Sequence, residues 1–381
     1  MKKRSKFILL TTVPISLNFF RNQINKLNEI YEVTLVSSPS LLLDEIANEE
    51  NVNFKAIKMN RNISLINDVR SLINLVLYFL SEKPNIIHCN TPKASLLGLL
   101  AGFLTKVPHR IYYIHGLRYQ GAKGFKRKLL KGMEKAACFF ATDLIAVSNG
   151  IKITAHEELT NKTIEVIHNG SVNGMFISEY INARYNKAII QEELCISDDD
   201  FVFGFIGRLV GDKGINELVS SFEELNQINK KIKLILVGPY EDDLDPLENS
   251  TKLIIKKNPN IIEAGFQKDV KKYLSLMNVF VSPSYREGFG LSLLEANLMG
   301  IPIIASRITG YEEIIKEDKN GFLIPPKNKE ALQSKMAEVF LQQNKLCEMK
   351  EFCINNVVEK YNHEDVLREA INYYQSISIS N

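Results

Sequence analysis

The sequence contains few cysteines and no cysteine pair. Its 381 residues include five cysteines, an odd number, and no two of them form a Cys-x-x-Cys motif. This pattern disfavours the disulfide framework of a small secreted domain. We therefore expect a protein of the reducing cytoplasm. The five positions are Cys89, Cys138, Cys195, Cys347 and Cys353.

Long apolar runs are also absent. The runs LINLVLYFL and LLGLLAGFL each have fewer than a dozen residues, well below the roughly 20 needed to span a bilayer, and we predict that both are buried helices. The N-terminal MKKRSKFILLTTVPISL begins like a signal peptide, but polar residues and a proline interrupt its apolar run and no small-residue cleavage site follows. A first strand over Lys6–Thr12 accounts for it better. We expect a protein that is soluble or lies on a membrane surface.

Nucleotide-binding glycine motifs and metal-binding patterns are missing. No Gly-x-Gly-x-x-Gly or Gly-x-x-x-x-Gly-Lys-Ser/Thr segment follows an apolar run, which disfavours a dinucleotide oxidoreductase and a P-loop enzyme. The six histidines are scattered, without a His-x-His or His-x-x-x-His pair. The acidic pattern Asp243-x-Asp245 lies in a charged stretch of a kind that is usually solvated. We therefore expect no metal and no cofactor.

What the sequence does contain is a repeated alternation of short apolar runs and helical stretches. Strands separated by helices predict parallel sheets, and 381 residues suggest two domains. We predict an α/β protein with two doubly wound, Rossmann-like domains whose strand ends face a cleft. The N-terminal domain is placed at 1–185 and the C-terminal domain at 186–361. A polar, irregular linker is expected near 171–195, and an amphipathic helix near 362–381 is expected to pack back on the first domain.

The predicted strands are short, and stretches of helical length separate most of them. Two examples of such stretches are SLINLVLYFLSEK and PKASLLGLLAGFLTK. The predicted strands of the first domain are KFILLTT, EVTLVSS, NFKAIKM, NIIHCN, RIYYIH, DLIAVS and TIEVIHN. Those of the second domain are FVFGFIG, KLILVG, NIIEAGF, VFVSPS, IPIIAS and GFLIPP.

Two carboxylates in the segment SPSYREGFGLSLLEANLMGIP form the first candidate site. Glu287 stands before two glycines, and Glu295 follows eight residues later inside a helix predicted over Leu291–Met299. Glycines let a backbone approach a ligand closely, and a helix N-terminus offers unpaired N–H groups to an anion. The spacing does not match a helical ion pair on one face. Either a phosphate-bearing ligand lies between the carboxylates, or a surface helix carries two solvated glutamates.

This segment resembles the nucleotide-sugar site of glycosyltransferase family 4, whose fold is called GT-B. The resemblance implies that Glu287 contacts the hydroxyl groups of the donor sugar and that Glu295 binds the ribose hydroxyls of the nucleotide. It extends over the whole chain in organisation and is most specific over residues 200–325. The residues whose backbone would hold the diphosphate are Gly288, Phe289, Gly290 and Leu291.

Two basic residues in FGFIGRLVGDKGINEL form the second candidate group. A predicted strand ends directly before Arg208, and Lys213 precedes a predicted helix. Negative charge accumulates on a nucleotide diphosphate as the sugar bond breaks, and cations held nearby stabilise that charge. The resemblance implies this role for both residues, because family 4 enzymes carry an arginine and a lysine at this spacing. From the residues alone, a turn with two exposed basic side chains is the alternative.

His115 is the candidate residue of the first domain. It ends the predicted strand RIYYIH, where such folds bind ligands, although a histidine at a strand end is often structural. The resemblance implies that His115 orients the donor sugar near the reacting carbon. Asn90-Thr91, at the end of NIIHCN, is a candidate for contact with the acceptor. The loop TTVPISLNFF lacks the glycines that many family members have there, so no contact is carried over to it.

A strongly basic segment lies near residues 118–137. The sequence RYQGAKGFKRKLLKGMEKAACFF combines seven cations with one acid, Glu134, and places Phe125, Leu129 and Met133 at helical spacing. Such a helix binds an anionic lipid surface, with about 1 kcal/mol from each cation, or it is a partly buried helix with a solvated outer face. The cations are not interleaved with stacking aromatics, which disfavours nucleic acid as a partner. We expect a peripheral contact with the inner face of the cytoplasmic membrane.

The resemblance implies a retaining glycosyltransferase. The expected reaction moves a hexose or N-acetylhexosamine from a UDP-sugar to a lipid-linked saccharide in O-antigen or capsule synthesis. No nucleophile is evident, so front-face attack assisted by the leaving phosphate is expected. The main alternative is a nucleotide-sugar 2-epimerase of the same fold, and an NAD-dependent oxidoreductase and a catalytically silent binding protein are two others. The residues expected to act in catalysis are Glu287, His115, Lys213 and Arg208.

Overall fold

The structure, a computed structural model, describes residues 4–242 and 245–379. These residues form two compact α/β units. The first unit contains the chain through Gly174 together with the C-terminal segment from His363, and the second comprises Met175–Asn362. Each unit contains one six-stranded sheet in which neighbouring strands are parallel. The predicted fold class, two doubly wound α/β domains, is confirmed.

The sheet of the first unit has the order β3-β2-β1-β4-β5-β6. Its strands are β1 (Lys6–Leu10), β2 (Glu32–Ser37), β3 (Asn53–Ala56), β4 (Ile86–Cys89), β5 (His109–Ile114) and β6 (Asp143–Ala146). Its helices are α1 (Gln23–Ile30), α2 (Leu41–Glu49), α3 (Leu65–Glu82), α4 (Pro92–Leu104), α5 (Gly124–Phe140) and α6 (Asn149–Glu158). The strand order reverses between β1 and β4, and loops leaving opposite sides of such a reversal open a crevice at the carboxyl ends of the strands.

The sheet of the second unit has the order β12-β11-β10-β7-β8-β9. Its strands are β7 (Phe201–Ile206), β8 (Ile232–Val237), β9 (Ile261–Gly265), β10 (Val279–Ser282), β11 (Ile303–Ser306) and β12 (Gly321–Ile324). Its helices are α7 (Ile177–Ile181), α8 (Lys187–Glu193), α9 (Ile215–Ile228), α10 (Asn249–Lys257), α11 (Lys271–Leu274), α12 (Leu291–Leu298), α13 (Lys329–Leu341) and α14 (Gln343–Tyr361). The reversal in this sheet lies between β7 and β10.

Apolar side chains cover both faces of the second sheet. Successive residues of a strand point to opposite faces. Phe203 and Phe205 therefore join one buried cluster with Phe222, while Val202 joins the other with Phe280. Because both faces are buried, the strands appear in the sequence as continuous apolar runs rather than alternating ones.

The C-terminal helix α15 (His363–Ile379) packs on the first sheet. The Tyr374 ring lies 5.7 Å from that of Phe7, and its hydroxyl lies 3.0 Å from His88 Nε2. The Tyr31 hydroxyl donates to the Tyr374 carbonyl oxygen at 2.9 Å. The last segment of the chain thereby completes the core formed by its first strand.

Two sequence predictions about local structure are wrong. The run TIEVIHN, 163–169, is not a strand, because His168 has a left-handed backbone (φ 52°) and only Glu165 forms a bridge with β6. The stretch 171–195 is not an irregular linker, because it contains α7 and α8. Met175 and Ile190 anchor it in the core of the second unit.

The prediction that both apolar runs are buried holds for most of α4 but not for α3. Helix α3 packs through Ser71, Leu75 and Phe79, and the opposite side of the helix is also apolar. We call this side the outer face of α3; it consists of Ile66, Val69, Ile73, Leu77 and Leu80, each at least half exposed. Within residues 4–242 and 245–379, no helix is long and apolar enough to cross a bilayer.

Candidate functional site

The candidate site of the second unit is built where β7 and β10 end. These strands are neighbours, so the loops 207–214 and 283–290 leave the same edge of the sheet. Gly214 allows the loops to touch: its φ is 71°, and a Cβ there would lie 2.2 Å from the Pro283 carbonyl oxygen. The Tyr285 N–H donates to the Asp212 carbonyl oxygen at 2.8 Å. The two loops that carry Lys213 and Glu287 are therefore held together through their backbones.

Lys213 and Glu287 form an ion pair in this loop assembly. The Lys213 ammonium donates to Glu287 Oε1, and the two side chains are 18% and 20% exposed. The same oxygen lies 3.5 Å from the hydroxyl groups of Tyr311 and Ser284. Charges shielded from water interact more strongly than exposed ones. The structure thus brings together two of the predicted site residues, and adds two hydroxyl donors to the carboxylate.

A second set of contacts supports the loops beside this pair. Arg286 donates to Asp212 Oδ2 at 2.6 Å, and the Asp212 N–H donates to Asp245 Oδ2 at 2.6 Å. The Tyr285 hydroxyl donates to Glu217 of α9. The residues adjacent to Lys213 and Glu287 are therefore fixed, which limits the movement of both charged groups.

The acidic pattern near residue 245 contributes to this support. The Asp245 carboxylate accepts from the backbone of the Lys213 loop, whereas Asp243 lies outside the described residues. In the described parts of the chain, 4–242 and 245–379, no group of three or more His, Cys, Asp or Glu side chains is placed to hold a metal ion.

Arg208 lies at the same edge but has a different partner. Its guanidinium is paired with Glu241, which follows β8, and the Arg208 side chain is 45% exposed. An ion pair this exposed contributes only about 1 kcal/mol or less. A bound anion can therefore compete with Glu241 for the guanidinium.

Glu295 lies inside α12 and is hydrogen-bonded to Tyr180, a residue that the sequence did not indicate as part of the site. Its Oε1 accepts a hydrogen bond from the Tyr180 hydroxyl at 2.8 Å. Burial raises the pKa of Glu295, while the Tyr180 hydrogen bond and the Lys271 ammonium act in the opposite direction. The Lys271 ammonium also lies 5.3 Å from the centre of the Tyr180 ring. Glu287 and Glu295 thus have separate partners and do not form a pair.

The N-terminus of α12 follows the glycine-flanked turn. The helix begins at Leu291 after Gly290, and no side chain caps it. The first N–H groups of a helix have no partner within it and carry a partial positive charge. Gly310 packs against this turn, since its φ is 88° and a Cβ would lie 2.7 Å from the Gly288 carbonyl oxygen. The segment predicted to hold a diphosphate therefore has the backbone geometry of an anion site.

His115 belongs to the first unit and directly follows β5. Its Nε2 lies 3.1 Å from Asn90 Oδ1, and its ring stacks on Tyr113 with centres 4.6 Å apart. Burial lowers the pKa of His115 to about 4, so the ring is neutral at physiological pH. Thr91 Oγ1 accepts from the Thr12 N–H at 2.7 Å, so it is engaged within the unit.

Three residues of the site had little or no signal in the sequence. Tyr180 lies in the stretch predicted to be an irregular linker. Tyr311 is 24 residues beyond Glu287 and belongs to no motif. Ser284 is part of the SPS segment but had no assigned role. Such contacts join residues that are far apart in the chain, and the spacing of residues within a motif does not reveal them.

Comparison with known proteins identifies the family. The profile described as "Glycosyl transferases group 1" matches residues 186–357, and "Glycosyltransferase Family 4" matches residues 20–171. The capsular polysaccharide biosynthesis glycosyltransferase CapM of Staphylococcus aureus is 35% identical over 347 residues, 88% of this chain and 88% of that protein. An Escherichia coli UDP-Gal:alpha-D-GlcNAc-diphosphoundecaprenol alpha-1,3-galactosyltransferase is 30% identical over 343 residues, 88% of this chain and 86% of that protein.

Solved structures agree with this result at the level of the fold. The crystal structure of Anabaena Alr3699/HepE in complex with UDP-glucose has a TM-score of 0.81 at 18% identity, covering 97% of this chain and 99% of that chain. WaaG, a glycosyltransferase involved in lipopolysaccharide biosynthesis, has a TM-score of 0.71 at 14% identity, with 96% and 98% covered. These neighbours confirm the predicted GT-B fold. The family profiles and the relatives show that the chain is a glycosyltransferase and belongs to glycosyltransferase family 4.

Proposed function

We propose that the protein is a retaining enzyme that moves a hexose or N-acetylhexosamine from a UDP-sugar to a lipid-linked saccharide. The relatives support this assignment. One takes part in capsular polysaccharide biosynthesis, and another uses UDP-Gal and a saccharide on diphosphoundecaprenol. A solved structure of the same fold holds UDP-glucose. We assign the reaction to capsule or O-antigen assembly on the same grounds.

The shielded Lys213–Glu287 pair beside the start of α12 carries this proposal. One edge of the sheet carries an ammonium, a carboxylate and uncapped N–H groups. These groups match the phosphates and the sugar of a nucleotide sugar. The N–H groups and Lys213 bind phosphate oxygens, while Glu287 accepts hydrogen bonds from the sugar hydroxyls. Glu295 binds the ribose hydroxyls, either sharing or replacing its Tyr180 contact. His115 orients the donor sugar.

The proposed reaction needs no protein nucleophile. The acceptor oxygen attacks the anomeric carbon on the face from which the diphosphate leaves. The bond between that carbon and the phosphate oxygen breaks, and the acceptor proton passes to the departing phosphate. Lys213, Arg208 and the start of α12 stabilise the charge that develops there. The pairing of Glu287 with Lys213 suits a binding carboxylate better than an attacking one.

We propose that these groups also make a metal and a cofactor unnecessary. A divalent cation in metal-dependent transferases neutralises the diphosphate. Lys213, Arg208 and the positive end of α12 supply charge of the same sign at the same edge of the sheet. The nucleotide sugar is then a co-substrate, and the chain needs no further group for the transfer.

We propose a peripheral site of action on the inner face of the cytoplasmic membrane. Lys126, Arg127 and Lys128 of α5 are exposed, and Phe125 beside them is 81% exposed. The one acid of this helix, Glu134, is buried against the Tyr112 hydroxyl, so it does not offset the cations. Helices α3, α4 and α5 are successive neighbours, and the outer face of α3 adds apolar surface. Anionic lipid matches this combination of cations and exposed apolar groups.

A donor screen followed by a transfer assay tests the proposed reaction. Thermal-shift measurements with UDP-, GDP- and ADP-sugars are expected to show stabilisation by UDP-sugars. The stabilising donor is then incubated with an undecaprenyl-diphosphate-linked saccharide, and NMR of the product reports the anomeric configuration, which is expected to be retained. A parallel incubation without acceptor is the control. Conversion of the donor to an epimer there would identify the 2-epimerase instead, and an inverted product would exclude the retaining mechanism.

A further inference from the structure

Asn90 occupies a buried position at the end of β4, between two histidines. The residue is 3% exposed. Its Nδ2 lies 3.3 Å from the Leu10 carbonyl oxygen, 3.1 Å from the His88 carbonyl oxygen and 3.0 Å from His88 Nδ1. Its Oδ1 lies 3.1 Å from His115 Nε2. One amide group therefore joins both imidazoles of the first unit's core.

The surroundings of this amide determine which end is the NH₂ group. The two backbone carbonyls are acceptors only, so they require a donor, and only the Nδ2 end of Asn90 is a donor. Turning the amide over would place Oδ1 against two carbonyl oxygens in a site closed to water. That arrangement would bring partial negative charges together at both carbonyl oxygens, in a buried position where water does not screen them. The Oδ1 end consequently faces His115.

This orientation determines the proton positions on both histidines. Oδ1 is an acceptor, so the proton of neutral His115 is on Nε2 and the lone pair is on Nδ1. His88 has the same tautomer, because its Nδ1 accepts from Asn90 and its Nε2 donates to the Tyr374 hydroxyl at 3.0 Å. Among the described residues, the hydrogen bond of the His115 ring is the one between Nε2 and Asn90 Oδ1.

The ring of His115 is enclosed on several sides by aromatic groups. Phe19 stacks on it at 6.3 Å and Phe20 meets it edge-on at 6.1 Å, in addition to the contact with Tyr113. The ring is nevertheless only half-buried. With its proton on Nε2, the nitrogen of this ring that can accept a hydrogen bond is Nδ1, and a sugar hydroxyl is a donor of the required kind.

We propose that Asn90 is a positioning residue for the glycosyl transfer, which holds His115 as the Nε2–H tautomer so that Nδ1 accepts a hydrogen bond from a hydroxyl of the donor sugar. This inference rests on the proposed function for the identity of the ligand, but the tautomer itself does not depend on it. Asn90 thereby has a role within the protein, and its contact with the acceptor stays a prediction from the sequence.

The tautomer is tested by long-range ¹H–¹⁵N NMR of the full chain labelled at histidine. His115 signals are assigned by their loss in His115→Gln. We expect a pyrrole-type Nε2 and a pyridine-type Nδ1 in the wild type at neutral pH, and mixed tautomers in Asn90→Leu. A pyridine-type Nε2, or an imidazolium at neutral pH, would overturn the proposal whatever the substrate is.

The positioning role is tested by kinetics with the UDP-sugar found in the donor screen. Asn90→Leu is expected to lower kcat about tenfold, with KM for the donor within about twofold, because alignment of the reacting groups and not general binding is lost. Tyr374→Phe is the control: it removes the other end of the chain of hydrogen bonds and leaves the Asn90–His115 contact. Equal kcat values for Asn90→Leu and the wild type, or an equal loss in Tyr374→Phe, would refute the role. Absence of transfer by the wild type would instead refute the proposed function, while the NMR result would stand.

Discussion

At the scale of single residues, the chemistry concentrates in the contact between Lys213 and Glu287. The sequence identified both residues, because each lies in a short motif at a strand end. It did not predict that they bind each other, since 74 residues separate them and only the order of β7 and β10 in the sheet brings their loops together. Their pairing holds the ammonium at the sheet edge where we propose that the diphosphate binds.

Replacement of Lys213 by alanine is expected to lower turnover. Loss of one preorganised charge that faces the leaving group costs about 100-fold in kcat, or about 2.7 kcal/mol. Steady-state kinetics with a UDP-sugar measures the effect. Lys231→Ala is the matched control, because Lys231 lies in the same unit and pairs with Asp199 at 66% exposure. Equal kcat values in the Lys213 and Lys231 variants would remove Lys213 from the mechanism.

Glu295 is expected to bind the ribose hydroxyls, and an experiment can separate this role from its hydrogen bond with Tyr180. Calorimetry measures the affinities of the wild type and of Glu295→Ala for UDP and for 2′-deoxy-UDP, and the four values form a thermodynamic cycle. The wild type should bind UDP about tenfold more tightly than the deoxy ligand, a difference of about 1.4 kcal/mol. This preference should disappear in Glu295→Ala and persist in Tyr180→Phe. Persistence in Glu295→Ala would show that another group reads the ribose.

At the scale of helices and strands, the sequence predicted most elements because each buried strand is a short apolar run between turn residues. The prediction was wrong where an apolar run is neither a strand of the sheet nor a fully buried helix. TIEVIHN buries Ile164 and Ile167 without joining the sheet as a strand, and α3 is apolar on its outer face as well as on its packed face. Burial of an apolar residue depends on neighbours that local periodicity does not specify.

The outer face of α3 is expected to contribute to membrane binding. Replacing Ile73 and Leu77 together by glutamate adds charge at positions that are 52% and 60% exposed, so folding should be little affected. Flotation with phosphatidylglycerol-containing vesicles should show at least about tenfold weaker binding. Ile228→Glu is the control, because Ile228 is 85% exposed on the other unit. Unchanged flotation of the double variant would assign this face to another partner.

The buried acid of α5 is expected to make stability depend on pH. Burial raises the pKa of Glu134 from 4.5 to about 7. Because the folded-state pKa is the higher one, the contribution of this group is complete below pH 4.5 and is lost as the pH rises through about 7. Between about pH 5 and pH 8, the free energy of unfolding of the wild type should therefore fall by about 2 to 3 kcal/mol relative to that of Glu134→Gln.

Urea unfolding at a series of pH values measures this difference. Circular dichroism is the suitable probe, since the chain contains no tryptophan. Glu157→Gln, at an exposed position of α6, is the matched control and should follow the wild type. A difference between wild type and Glu134→Gln that does not change with pH would contradict the buried, proton-binding state of this carboxyl.

At the scale of the whole molecule, the alternation of strands and helices predicted two Rossmann-like units correctly. That pattern is repeated over nearly the whole chain, so single errors such as the one at 163–169 do not change the class. The function is less fully determined by the fold, because one architecture supports several chemistries. What distinguishes this chain is the set of charged groups at one sheet edge of the second unit, together with a neutral histidine at the end of β5.

Calorimetric titration with UDP and UMP tests the central claim most directly, because the two ligands differ in the phosphate that Lys213 and the start of α12 are proposed to hold. The wild type is predicted to bind UDP at least about tenfold more tightly than UMP, a difference of about 1.4 kcal/mol or more. In Lys213→Ala most of this difference should be lost, while UMP affinity is preserved. Equal affinity of the wild type for UDP and UMP, or a full preference for UDP in Lys213→Ala, would contradict the account.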